Sequence, residues 1–140
     1  MKSVYKDSFN MLCGKMIGSG IDRDVFACKI RDDLVVKVEK ADYRNFANVT
    51  EMAFWCEHRH IKAIGRWLAP CEFLSPDGRV MLQRKASPVA SMSDLPKNVP
   101  SFLADLKIEN FGIIGGKIVC VDYAIYIANP SVKLKKADWV

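Results

Sequence analysis

The sequence predicts an α+β fold: a twisted antiparallel sheet of about five strands packed on one helix, then a smaller hairpin-bearing region. Three observations lead there. Short β-branched or apolar runs in the first 86 residues are separated by glycine, proline and aspartate turns, the pattern of hairpins. One longer segment, 45–60, repeats apolar residues at helical spacing. A stretch rich in Ser and Pro between 87 and 100 breaks the chain before a last two-glycine turn. Together they set a first region at 1–86 and a second at 87–140.

Lys15 to Ser19 leads into a tight turn, Gly18-Ser19-Gly20. Asp24 to Ile30 reads as a strand, with Val25 and Ala27 on one face, and Arg31-Asp32-Asp33 as a charged turn. Leu34 to Val38 is a β-branched run that reads as a buried central strand containing Lys37. On the helix, Phe46, Val49, Ala53 and Cys56 form one apolar stripe. Glu72 to Leu74 and Arg79 to Gln83 flank Ser75-Pro76-Asp77-Gly78, which has the proline and glycine a tight turn wants. After the breaker-rich stretch, Ser101 to Asp105 reads as a last helical turn. Phe111 to Ile114 and Lys117 to Val121 flank Gly115-Gly116, a second hairpin. From Pro130 the chain is polar and reads as a solvated or frayed end.

With 140 residues, half of them hydrophobic and 26% charged, the chain can bury a core, which excludes disordered and collagen-like classes. A net charge of +5 suits an anionic partner without demanding nucleic acid. The lysines at 133, 135 and 136 lack arginine clustering and interleaved aromatics, so a nucleic-acid role is not expected. Trp55, Trp67 and Trp139 read as core or interface anchors. No apolar run is long enough to span a bilayer, and Met1 to Lys15 carries no signal-peptide core, so a cytoplasmic location without membrane contact is expected. Five cysteines, scattered and without a C-x-x-C pair, read as reduced thiols rather than a zinc site. His58 and His60, two apart, point to different faces of a helix and make a weak metal pair.

The chemistry-bearing run is Asp105-Leu106-Lys107-Ile108-Glu109-Asn110, followed by the glycine hairpin and then Val121-Asp122-Tyr123-Ala124. This resembles the catalytic core of the eukaryotic-like protein kinase superfamily, in which D-L-K-x-x-N, a short hairpin and D-F-G follow one another. Phosphoryl transfer needs a carboxylate near the incoming hydroxyl, a cation near the γ-phosphate and oxygen ligands for Mg²⁺. The resemblance implies that Asp105 orients the hydroxyl, Lys107 contacts the phosphate, and Asn110 and Asp122 hold the metal.

Upstream residues extend the resemblance in the family's order. Gly18-Ser19-Gly20 followed by Val25 looks like the glycine-rich loop over the phosphates of ATP. Val36-Lys37-Val38 looks like the strand lysine, and Glu51 like its ion-pair partner; Glu57 is the alternative, because it lies beside the apolar stripe whereas Glu51 lies away from it. Leu82 to Lys85, with Gln83 among them, looks like the hinge that binds adenine through backbone groups. Asn48, Glu51 and Trp55, spaced N-x-x-E-x-x-x-W, and D-L-K-x-E-N-F-G are similar to small, divergent superfamily members of prokaryotes and their phages.

Three motifs depart from the family pattern. Arg23 stands in place of the third glycine, where it is expected to add a phosphate contact. Leu103-Ala104 replaces His-Arg, and Tyr123-Ala124 replaces Phe-Gly. Sixteen residues follow Ala124, and no A-P-E motif is among them. The resemblance therefore implies a kinase-like N-lobe with a truncated C-lobe. Its expected activity is that of a minimal phosphotransferase using ATP and Mg²⁺ on a protein or small hydroxyl substrate, with a partner protein or second copy completing the groove. The alternative is a nucleotide-binding pseudokinase acting as a protein-interaction or inhibitor module.

Overall fold

A computed structural model of the chain describes residues 2–40, 45–125 and 127–140. It is α+β, and its largest element is a five-stranded antiparallel sheet. The chain divides into two units, Met1–Met52 with Cys71–Lys85, and Ala53–Pro70 with Ala86–Val140.

In the first unit, β1 (Cys13–Ser19), β2 (Arg23–Cys28), β3 (Leu34–Glu39), β4 (Cys71–Leu74) and β5 (Val80–Arg84) lie in the order β1-β2-β3-β5-β4. The middle strand is β3, with Lys37 opposite Val25 on one side and Met81 on the other. Strand alternation sends successive side chains to opposite faces. Leu34 and Val36 join Cys13 and Cys28 in a buried apolar cluster, against which Phe26, Val38, Val80 and Leu82 pack. Helix α1 (Lys2–Leu12) adds Leu12 to this cluster and sets Phe9 edge-on to Phe26 at 5.2 Å. Each large apolar side chain buried here contributes roughly 1.5–3 kcal/mol. Cys13 and Cys28 are direct cross-strand partners. Burial first, and then Cys28, pushes the Cys13 thiol up to about 11.

The other alternation of β3, Val35, Lys37 and Glu39, brings Lys37 to Glu51 of helix α2 (Ala47–His58). The apolar stripe expected on α2 is not its buried face. Phe46, just before the helix, Val49, Ala53 and Cys56 are exposed, whereas Ala47, Asn48, Glu51, Phe54 and His58 are buried. The reason is chemical: the inward face carries Asn48 and Glu51, whose partners Arg23 and Lys37 lie on the sheet, so it leaves no continuous hydrophobic period to read.

The second unit holds α3 (Lys62–Gly65), β6 (Asn98–Pro100), β7 (Phe111–Ile114), β8 (Lys117–Cys120) and β9 (Leu134–Lys136). Strands β7 and β8 form a hairpin through Gly115 and Gly116, at φ 58° and 78°, which is the two-glycine turn that matches strand twist. Phe54 packs on Phe102 and Tyr123 with ring centroids 6.0 and 6.1 Å apart.

Two expectations need correction in this unit. Residues 101–105 do not continue as a helix: Leu103 N–H closes a single turn onto Pro100 O, while Ser101 N–H donates to Lys133 O and Phe102 N–H to Ser131 O, which ties the segment to the tail. The tail is also not frayed. It pairs with β6 as β9, and the Trp139 indole packs edge-on to Phe111 at 4.9 Å while donating to Pro96 O. No helix among the described residues is long and apolar enough to cross a membrane.

Candidate functional site

The first unit builds a buried charged cluster on α2. Asn48 and Glu51, three apart, share one helix face. Glu51 is fully buried, and its Oε1 accepts from Lys37 Nζ at 2.6 Å, Arg23 Nη1 at 3.1 Å and Gln83 Nε2 at 3.3 Å. Its Oε2 accepts from Arg23 Nη2 at 3.2 Å. Burial pushes the Glu51 carboxyl up, but the charges of Lys37 and Arg23, with a hydrogen bond from each, outweigh it and hold the group below the usual carboxylate range. Of the two glutamates weighed for Lys37, Glu51 is the partner. Glu57 is largely exposed, with Oε2 3.7 Å from His58 Nε2.

Asn48 locks this helix to the sheet. Its Nδ2 donates toward Lys37 O, Gly78 O and Arg79 O at 3.0–3.1 Å, and its Oδ1 accepts from Arg23. Arg23 therefore does not extend toward a phosphate as expected; its guanidinium is buried against Asn48 and Glu51. The Gly18-Ser19-Gly20 segment ends β1 with Gly18 opposite Val25, and Gly20 N–H donates to Arg23 O at 2.8 Å. Ser19 Oγ donates to Asp24 Oδ1. Gln83 lies inside ladders on both sides, opposite Val35 and Cys71, and Lys85 N–H donates to Asp33 O. Gln83 thus bears on the cluster through its side chain rather than as an open hinge backbone.

The second unit holds the other candidates. Asp105 and Lys107 are exposed and line a shallow cavity of about 300 Å³. Asn110 ends a 3-10 turn, Ile108–Asn110, and its carbonyl accepts from Val121 N–H at 2.8 Å. That bond closes the base of the β7–β8 hairpin and sets Asn110 beside the strand that delivers Asp122. Tyr123 is buried, and its hydroxyl donates to Ala69 O at 2.5 Å. Cys120 N–H donates to Trp67 O, and Ala69 N–H to Cys120 O. These bonds fix the backbone on both sides of Asp122.

No protein-family model and no curated protein matches the chain.

Among the described residues no three His, Cys, Asp or Glu side chains cluster as a metal site. An aspartate carboxylate and an asparagine amide oxygen are donor types taken by Mg²⁺, a hard cation that completes its shell with water and phosphate oxygens. Three structural parts escaped the sequence reading: Arg23 as the second cation on Glu51, the Tyr123 hydroxyl, and the tail that lines the cavity beside Asp105. Of these, only Arg23 had a signal, a charged residue where the resembled loop has glycine.

Proposed function

We propose that the chain is a protein-kinase-like phosphotransferase that uses ATP and Mg²⁺ to phosphorylate a hydroxyl. The observation that carries this reading is the Lys37–Glu51 pair, 2.6 Å apart and buried, on the middle strand and the helix of the first unit. A buried lysine costs several kcal/mol to desolvate unless it is paired. Holding one in place makes chemical sense where its ammonium must meet phosphate oxygens. In this reading Gly18, Ser19, Gly20 and Val25 approach the nucleotide, Lys37 contacts its phosphates and Glu51 positions Lys37.

Asp105 orients the acceptor hydroxyl, and Lys107 offsets charge on the phosphoryl group in transfer. The hydroxyl oxygen bonds to the γ-phosphorus, the bond to the β–γ bridging oxygen breaks, ADP leaves, and the hydroxyl proton passes to Asp105. Asp122 and Asn110 would hold Mg²⁺, which would supply charge neutralisation at the phosphates.

The test is transfer of labelled γ-phosphate to the protein itself or to a cell lysate, with Asp105→Ala as control. Incorporation above the control is expected; equal incorporation overturns the catalytic reading. One observation favours a second reading, a nucleotide-binding module without transfer: Arg23 shares Glu51 with Lys37. That module would gain a few kcal/mol of stability from saturating ATP and Mg²⁺ while transferring nothing.

A further inference from the structure

The cavity beside Asp105 has two walls. One is the Asp105–Lys107 segment, and the other is the tail, with Lys135, Lys136 and Asp138. The walls are tied at both ends of the tail segment. Val140 N–H donates to Leu106 O and Ile108 N–H to Val140 O, each at 3.1 Å. Ala137 N–H donates to Lys97 O at 2.9 Å, and β9 pairs with β6 residue by residue from 98 to 100. The cavity is thus a built feature of the second unit and not a gap beside a loose end.

Its chemistry is asymmetric. Three lysines, Lys107, Lys135 and Lys136, line it together with two aspartates, Asp105 and Asp138, so its side chains carry a net positive charge. At about 300 Å³ it sits at the lower end of small-molecule pockets. We propose that this cavity is the acceptor pocket, and that the acceptor is a small hydroxyl compound bearing its own phosphate or carboxylate. The anion would be met by the lysines while the free hydroxyl lies at Asp105. This rests on the reading of Asp105 as the residue beside the acceptor hydroxyl. An extended peptide is the less favoured occupant, because the space is a pocket of limited volume.

The experiment uses the ¹⁵N-labelled full chain, titrated with glycerol 3-phosphate as probe and glycerol as uncharged control. Glycerol 3-phosphate is expected to shift the backbone amide signals of residues 104–107 and 135–138 saturably, and glycerol is not. The double variant Lys135→Glu/Lys136→Glu, or Lys135→Gln/Lys136→Gln if the reversal disturbs the fold, is expected to weaken this binding at least about tenfold. The thermal shift with ATP and Mg²⁺ should be unchanged in the same variant.

Three results overturn the pocket: no saturable shift at those residues, an equal response to glycerol, or unchanged binding in the double variant. Saturable shifts with an acidic serine peptide but none with glycerol 3-phosphate also overturn it, in favour of a peptide site. The two readings fail separately. A normal ATP–Mg²⁺ shift without glycerol 3-phosphate binding removes the acceptor pocket alone. Glycerol 3-phosphate binding without any ATP–Mg²⁺ shift removes the transferase, and with it the acceptor role.

Discussion

Lys37 Nζ lies 2.6 Å from Glu51 Oε1, and the guanidinium of Arg23 grips both oxygens of the same carboxylate. One anion thus holds two cations in a region that excludes water. Replacing Glu51 by Ala leaves both cations buried without it, and unpairing a buried charge costs about 3–5 kcal/mol. Urea unfolding should show a loss of that size for Glu51→Ala, with Glu51→Gln milder because its amide oxygen still accepts. A loss below about 1 kcal/mol for the alanine variant would mean that the cluster contributes little to stability.

The same cluster predicts an acid limb. Glu51 is held below its ordinary range in the folded chain, so the unfolded state binds its proton more readily. Its contribution is complete above the unfolded value, about 4.3, and is lost as pH falls through the depressed folded one. The stability gap between wild type and Glu51→Gln should therefore be constant from about pH 7 to 5 and shrink below about pH 4. Paired denaturation curves across that range check it, and a gap that widens in acid contradicts the sign.

Tyr123 offers a clean deletion. Tyr123→Phe keeps the ring among Phe54 and its neighbours but leaves the buried Ala69 carbonyl without the hydroxyl. The expected cost is about 1–3 kcal/mol. Because the bond fixes the residue after Asp122, any change in the Mg²⁺ dependence of ATP binding should accompany the stability loss.

Asp122→Asn should separate metal from nucleotide. In the proposed role it removes the one carboxylate offered to Mg²⁺, so the extra thermal stabilisation that Mg²⁺ adds to ATP should fall toward the value with ATP alone. An unchanged Mg²⁺ increment would place the metal elsewhere.

Gly112 is set by contact rather than by dihedral angle. A Cβ there would stand 2.5 Å from Ala86 Cβ and 2.9 Å from Ser87 O, where β7 bridges to the segment after β5. Gly112→Ala should cost about 1–3 kcal/mol by overpacking, read from the melting temperature.

Local chemistry made much of the fold legible. Gly115-Gly116 and Ser75-Pro76-Asp77-Gly78 announce their turns because few residues tolerate those backbone angles. The β-branched run at Leu34 to Val38 announces the middle strand for a similar reason. Helix α2 was legible as a helix but not by face. Asn48 and Glu51 point inward because Lys37 and Arg23 meet them there, and no periodicity of apolar residues records that. Helix α1 was missed because its charged residues mask the few that pack, Phe9 and Leu12. The tail is solvated as its composition says, but its order comes from backbone pairing with residues more than thirty positions earlier, which composition does not encode.

That pairing also has a consequence for the order of events during synthesis. Five-stranded pairing in the first unit needs nothing beyond Arg84. The Leu106–Ile108 segment, by contrast, takes the amide and carbonyl of Val140 as partners. A nascent chain emerges from its N-terminus onward at about 5–20 residues per second. The sheet is therefore free to close while the ribosome still shields the tail, and the loop bearing Asp105 gains its final partners only when residue 140 clears the exit tunnel. Synthesis of the segment up to residue 140, rather than sheet formation, then times the appearance of the complete second unit.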